Sequence, residues 1–269
     1  MRGLTIFFLF TTLIFGIAPL DSAAATQQYV LTIDPQALAI AQAALAAMGG
    51  NEVLAAYQDS VASGTATVYT DGNQVSYPII MKSKGLRETR VELQTTKGTN
   101  IRIVNQGQGA IIKPNGTVKN LYSNNTFPEH VNHIPLLSVL AEISNGSVNV
   151  LYKGTARIQA QSEDVIEIDF VPTLMNGAML ASMSRASFFV NQTTKLVDKI
   201  QRATFYEGDD KNTFNEETYF TNYHSVNGML VPYHVSVFVD GKLDTDIGIT
   251  ALNVNVGLLD TDFALPAGR

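Results

Sequence analysis

Apolar and polar residues alternate with period two along most of this chain, and helical spacing appears only in short stretches. The first regular stretch is helical. Asp34-Pro35 sets a capping side chain before a proline at the first helical position. Ala37, Leu38, Ala41, Ala44, Leu45 and Met48 then recur at helical spacing, and Gly49-Gly50 provides a left-handed stop. Asn51 is placed to cap a second short helix over 54–57. The stripe is mostly alanine, so the helix can lie close against a sheet. From Val61 the period changes to two. Strands are predicted over 61–70, 75–84, 86–93, 99–104, 110–113 and 117–122, with Asp71-Gly72 and further glycine or Pro-Asn-Gly turns between them.

A helix is predicted over 135–143, where Leu136, Leu137, Leu140 and Ile143 form one stripe. Strands resume over 148–158, 165–171, 186–190, 196–206, 216–223 and 230–239. In the second of these Ile166, Ile168 and Phe170 take one face and Glu167 and Asp169 the other, the pattern of a sheet with one wet face. Val231, Tyr233, Val235, Val237 and Val239 share a face, and the first four should be buried together. Over 247–256 the apolar parity slips from Ile247, Ile249 and Ala251 to Leu252, Val254 and Val256, which a β-bulge would explain. No strand alternates with a long helix, so a parallel doubly wound sheet is excluded. The pattern is that of a mainly β, α+β chain whose antiparallel sheet is strongly curved or an incomplete barrel.

The first 25 residues read as an export signal rather than as structure. Arg2 is a weak positive start, Leu4 to Ala18 is apolar, Pro19 breaks the run, and Ser22-Ala23-Ala24-Ala25 offers small residues for cleavage. The apolar run is shorter than the ~20 residues that span a bilayer. The chain has no cysteine, so there is no thiol to lipidate and no disulfide to form. Together these point to a soluble periplasmic protein with one domain over 26–269. Arg2 and Asp21 leave together, so the net charge remains −6. An acidic chain with 16% charged residues lacks the basic footprint that nucleic acid requires.

The order of parts resembles the LolA-type fold and its RseB-like relatives. Four features carry the likeness: a helix ending Ala46-Ala47-Met48-Gly49-Gly50, the strand-rich 61–93 meander, the late hairpin Tyr223-His-Ser-Val-Asn-Gly228-Met-Leu-Val-Pro232, and the closing run Asn255-Val-Gly257-Leu-Leu-Asp260-Thr-Asp-Phe263-Ala-Leu-Pro266. The resemblance implies an antiparallel half-open β-barrel with a few covering helices and a greasy concave face. Members of that family escort lipoproteins, sense envelope stress or bind lipids, and share no catalytic residue set. The resemblance therefore implies a hydrophobic ligand, a lipid or an acyl chain, or a lipoprotein, with an envelope protein as the alternative partner. It implies no cofactor.

Met175, Met179 and Met183 stand at i, i+4 and i+8, and with Leu174, Ala178 and Leu180 would form one apolar stripe after a Thr173 cap. Methionine suits irregular apolar ligands, so Met175, Met179, Leu180 and Met183 are the candidate ligand-binding residues, a short core helix being the plainer alternative. Other groups read as structural. His130 and His133 lie in a loop between Pro128 and Pro135 without a third metal ligand. His234 and Ser236 fall opposite the valine face, on a polar surface. The acidic pairs Asp209/Asp210, Asp244/Asp246 and Asp260/Asp262 sit at turns, where aspartate caps backbone groups. No metal site and no catalytic residue is expected. The leading expectation is a non-enzymatic binding protein. A sensor-type interaction module is the first rival, and a hydrolase would require a Ser/His/Asp set brought together by the fold.

Overall fold

The computed structural model of the chain describes residues 32–70, 72–85, 87–126, 134–144, 148–170, 185–207, 209 and 211–266. The export signal read over 1–25 and the histidine loop at His130 and His133 lie outside them. Helix α1 (Pro35–Ala47) starts as its residues require. Asp34 stays extended, and its carboxylate accepts from the N–H groups of Gln36 at 2.8 Å and Ala37 at 3.2 Å. Gly49 and Gly50 both take positive φ, at 137° and 75°, and turn the chain into α2 (Gly50–Ala56). The second helix thus begins at the glycines rather than at Asn51.

Among the described residues thirteen strands follow, in two antiparallel meanders. The first is β1 (Asp59–Thr70), β2 (Asn73–Lys84), β3 (Glu88–Thr95), β4 (Gly98–Asn105), β5 (Gln108–Ile112) and β6 (Val118–Leu121). The second is β7 (Val148–Ile158), β8 (Gln161–Phe170), β9 (Ala186–Asn191), β10 (Val197–Phe205), β11 (Thr213–Val226), β12 (Met229–Val239) and β13 (Lys242–Val254). Short helices α3 (Ser123–Thr126) and α4 (Leu137–Ser144) lie between the meanders. The sheet order is β6-β5-β4-β3-β2-β1-β13-β12-β11-β10-β9-β8-β7. The chain ends by pairing β13 with β1, which joins the meanders, while β6 and β7 remain separate edges. The sheet is therefore one open antiparallel barrel wall. Asn227-Gly228 and Asp240-Gly241 make tight hairpins, each residue at positive φ, as type I′ turns demand.

The parity slip near the C-terminus is a bulge. Ser63 pairs with Ala251 but Gly64 with Ile249, so Thr250 is the extra residue. Gly64 is required there. A Cβ on it would stand 2.1 Å from the carbonyl oxygen of Gly248. The bulge lets Leu252, Ile249 and Ile247 all face inward with Ala62, Gly64 and Ala66.

The core lies between the inner face of the sheet and the helices. Ala37, Ala41, Ala44 and Leu45 of α1 and Leu137, Leu140 and Ile143 of α4 are buried against Val148, Val150, Ile166, Ile168, Phe188 and Phe220. Alanine on α1 allows the close approach that its sequence suggested. Val231 and Val235 are buried, and Tyr233 and Val237 pack against the same core, so the valine face of β12 is the inner face. The outer face is not uniformly wet. Asp169 is buried, and its two oxygens accept from Arg185 Nε at 2.8 Å and Nη2 at 3.1 Å.

Candidate functional site

Helices cover the inner face over β7 to β10, and a groove of about 490 Å³ remains at the other end of β10 to β12. Its walls come from β4, α3, β10, β11, β12 and β13. Register fixes the inward side chains. Ile200, Arg202 and Thr204 of β10 stand opposite Thr218, Glu216 and Phe214 of β11. Glu216 in turn stands opposite Val239, and Thr218 opposite Val237. Val237, Val239 and Phe214 give the groove an apolar floor, and the Tyr206 ring lies against Phe214, tilted by 48° with centroids 4.7 Å apart.

The lining is mixed rather than purely greasy. Arg202 donates from Nε to Glu216 at 3.0 Å, and its Nη2 is 2.7 Å from the same oxygen; the Arg202 side chain is buried and that of Glu216 is 14% exposed. A buried ion pair rarely stabilises a fold more than apolar side chains of the same volume would. Its place on the wall of an open groove gives it a surface to present to a ligand. Arg102 of β4 enters from the opposite wall. Its guanidinium donates to Glu207 Oε1 at 2.9 Å and to the backbone oxygen of Asn125 at 3.0 Å. Asn125 is buried and donates through Nδ2 to the carbonyl oxygens of Phe205 and Tyr206, which pins the turn after β10.

Beyond the groove the inner wall is apolar. One cross-strand row runs Lys119, Ile111, Arg102, Val91, Met81, Ala62, Leu252 from the β6 edge to β13. Its cations stand near the β6 edge, and its middle is half-buried hydrocarbon. A smaller cleft of about 240 Å³, mostly apolar, lies between α2 and the β11–β12 hairpin, against Val53, Tyr57, Val226 and Met229.

The candidate ligand residues Met175, Met179, Leu180 and Met183 lie outside the described residues. The fold does collect a Ser/His/Asp set, on the outer face. His234 Nε2 is 2.8 Å from Asp246 Oδ1, and its Nδ1 is 3.0 Å from Thr221 Oγ1. Ser236 donates to the same Asp246 oxygen at 2.6 Å. Burial alone would raise the Asp246 pKa, but the hydrogen bonds from Ser236 and His234 outweigh it and hold the carboxyl below its usual range. Attack by Thr221 would need donors for an oxyanion. Around Thr221 and His234 the strands β11, β12 and β13 are paired with one another, and the ladder takes their backbone N–H groups. The cluster acts as a polar link across three strands. The sequence placed His234 and Ser236 on the correct face but gave no sign of Asp246 as their common partner.

Among the described residues no group of three His, Asp or Glu side chains is arranged to hold a metal ion. The acidic pairs serve the chain itself. Asp209 accepts from the N–H groups of Lys211 and Asn212, as a turn aspartate should. Asp260 and Asp262 do more than cap a turn: they pair with Lys84 and Lys82 of β2.

Glu163 of β8 is a buried acid that the sequence did not reveal. Its side chain is fully buried, Asn191 Nδ2 lies 3.4 Å from Oε1, and Oε2 has no partner among the described residues. Burial, then the neighbouring Asp198 carboxylate, pushes its pKa up to about 7. The folded state therefore binds the proton more tightly than the unfolded chain. The stabilisation is full below the ordinary glutamate pKa and is lost as pH rises through about 7. The loss should be about 3 kcal/mol. Glu163→Gln should match the parent in thermal denaturation at pH 4 and exceed it at pH 8. An equal deficit of the parent at both pH values would contradict this.

No family model matches the chain, and no curated protein matches it in sequence. Solved structures do match in shape. A domain named for outer membrane lipoprotein sorting, from Vibrio parahaemolyticus, superposes with a TM-score of 0.54 at 14% identity, covering 85% of this chain and 96% of that one. A LolA superfamily protein from Nitrosomonas europaea gives 0.54 at 11% identity, covering 85% and 97%. A DUF1329 family protein from Desulfovibrio piger gives 0.54 at 12% identity, with the same coverage. The chain has the LolA-type fold.

Proposed function

We propose that this chain is a non-enzymatic envelope binding protein that holds an acylated or lipid ligand on the concave face of its sheet. The observation that carries the reading is the inner-face groove of about 490 Å³, which lies within the usual size range of small-molecule sites. It opens beside a wall of half-buried Val91, Met81 and Ile111. Affinity would come from burying methylene groups, at about 0.8 kcal/mol each. The signal-like first 25 residues support export to the periplasm, with 26–269 as one mature domain, and one structural neighbour is named for lipoprotein sorting. On spacing alone, Met175, Met179, Leu180 and Met183 are proposed to extend the same ligand surface. The alternative is a sensor-type module that docks an envelope protein. It has in its favour the apolar cleft at α2, with exposed Val256 following Val254 and Asn255 of its lining.

A fluorescent fatty acid should bind one per chain. Val239→Trp should fill the groove and weaken binding about tenfold, a loss of ~1.4 kcal/mol, with little change in Tm. Full affinity in that variant would place the probe elsewhere. A probe that never binds would leave the interaction module as the better reading.

A further inference from the structure

We infer that the groove takes an amphiphile with an anionic head, and that Glu207 occupies the head's position in the unliganded protein. The inference rests on the ligand reading above and deepens it. Glu207 stands on the turn after β10 and projects into the mouth of the groove between two cations. Arg102 Nη1 is 2.9 Å from Oε1, and Lys119 Nζ is 3.6 Å from Oε2. Those cations come from β4 and β6, and both belong to the inner-face row that continues as Val91, Met81 and Ala62. A head held by Arg102 and Lys119 would let its chain run along that apolar row.

The chain's own carboxylate can leave at small cost. Glu207 is 46% exposed, and such partly exposed pairs are worth about 0–1 kcal/mol. The deeper pair of Arg202 and Glu216 is less exposed, at 7% and 14%. Among the described residues, the charged side chains at the mouth are Arg102, Lys119 and Arg202 with Glu207, Glu216 and Asp244. Arginine also offers two parallel N–H donors to a carboxylate or a phosphate. Both head chemistries fit; a free fatty acid and a phospholipid fragment would be its two sources.

The test is isothermal titration of the mature chain with dodecanoate, dodecyl phosphate, dodecyl maltoside and dodecyltrimethylammonium, each below its micelle concentration. The anions should bind about tenfold more tightly than the maltoside, and the cation most weakly. The tighter of the two anions identifies the head. Glu207→Gln should strengthen both anions several-fold and leave the maltoside unchanged. Arg102→Met or Lys119→Met should bring the anions down to the maltoside's level. Lys119 is on the short edge strand, so its variant remains a test where Arg102→Met does not fold. Equal binding of anions and maltoside, or no effect of Glu207→Gln on the anions, would overturn the anionic head alone. Failure of all four to bind would overturn the lipid-ligand reading with it.

Discussion

Val235→Asp should leave the chain without a cooperative folded state. Val235 is 4% exposed, at the centre of β12, paired with Phe220 of β11 on one side and Ile247 of β13 on the other. Val235 and Phe220 belong to the buried core, and Ile247 packs against it. A carboxylate there finds no cation and no donor that the sheet ladder has not already taken. An unpaired buried charge costs several kcal/mol, about 4 or more, against a total stability of about 5–15 kcal/mol for a domain. Val235→Ala should cost only about 2 kcal/mol, through the cavity it leaves. Urea denaturation followed by far-ultraviolet circular dichroism separates the two. An aspartate variant with a parental midpoint would mean that the valine face of β12 looks outward.

Asp59→Ala should detach the closing segment of the chain. Asp59 is buried at the start of β1, and its carboxylate accepts from the backbone N–H groups of Val256 at 2.7 Å, Gly257 at 3.1 Å and Leu258 at 3.0 Å. Its own carbonyl accepts from Asn255 at 2.8 Å. From this anchor the chain reaches the 3₁₀ turn Asp260–Phe263, where Phe263 is buried against β3 and β4 on the outer face. Lys82 holds Asp262 there, and that hydrogen bond is the main reason the Asp262 carboxyl lies below its usual range. Loss of the Asp59 acceptor strands three N–H groups at once, and about 3 kcal/mol is the expected cost. Asp59→Asn keeps one acceptor oxygen and should lose less. Hydrogen exchange should show Val256, Gly257 and Leu258 losing protection in the alanine variant. Unchanged protection and Tm would remove Asp59 as the anchor.

The elements were legible because their signals are local. Period-two runs gave the strands to within a few residues, and the parity slip at Ala251 and Leu252 marked the bulge that Thr250 creates. What could not be read was the non-local pairing. Nothing near Ser63 announces that it meets Ala251, and the β1–β13 closure sets the order of the whole sheet. The groove was hidden for the same reason. Arg102, Arg202, Glu207 and Glu216 each look like an ordinary polar position in or beside a strand. Only the register of five strands places them around one opening. Glu163 was hidden because Ser162-Glu163-Asp164 reads as a solvated turn, whereas β8 begins at Gln161 and turns Glu163 toward Asn191. The methionine stripe, chosen on helical spacing, falls outside the described residues. The inward wall that supports the ligand reading is instead spread across β2 to β5, with Met81, Val91 and Ile111 each on a different strand.

The most direct test of the account is native mass spectrometry of the full chain after export and purification from its own host without detergent. The expected result is a second species, heavier by the mass of one acyl-bearing anion, that Val239→Trp depletes while the fold remains intact. A chain that carries no added mass, and instead comes away crosslinked to an envelope protein, would contradict it.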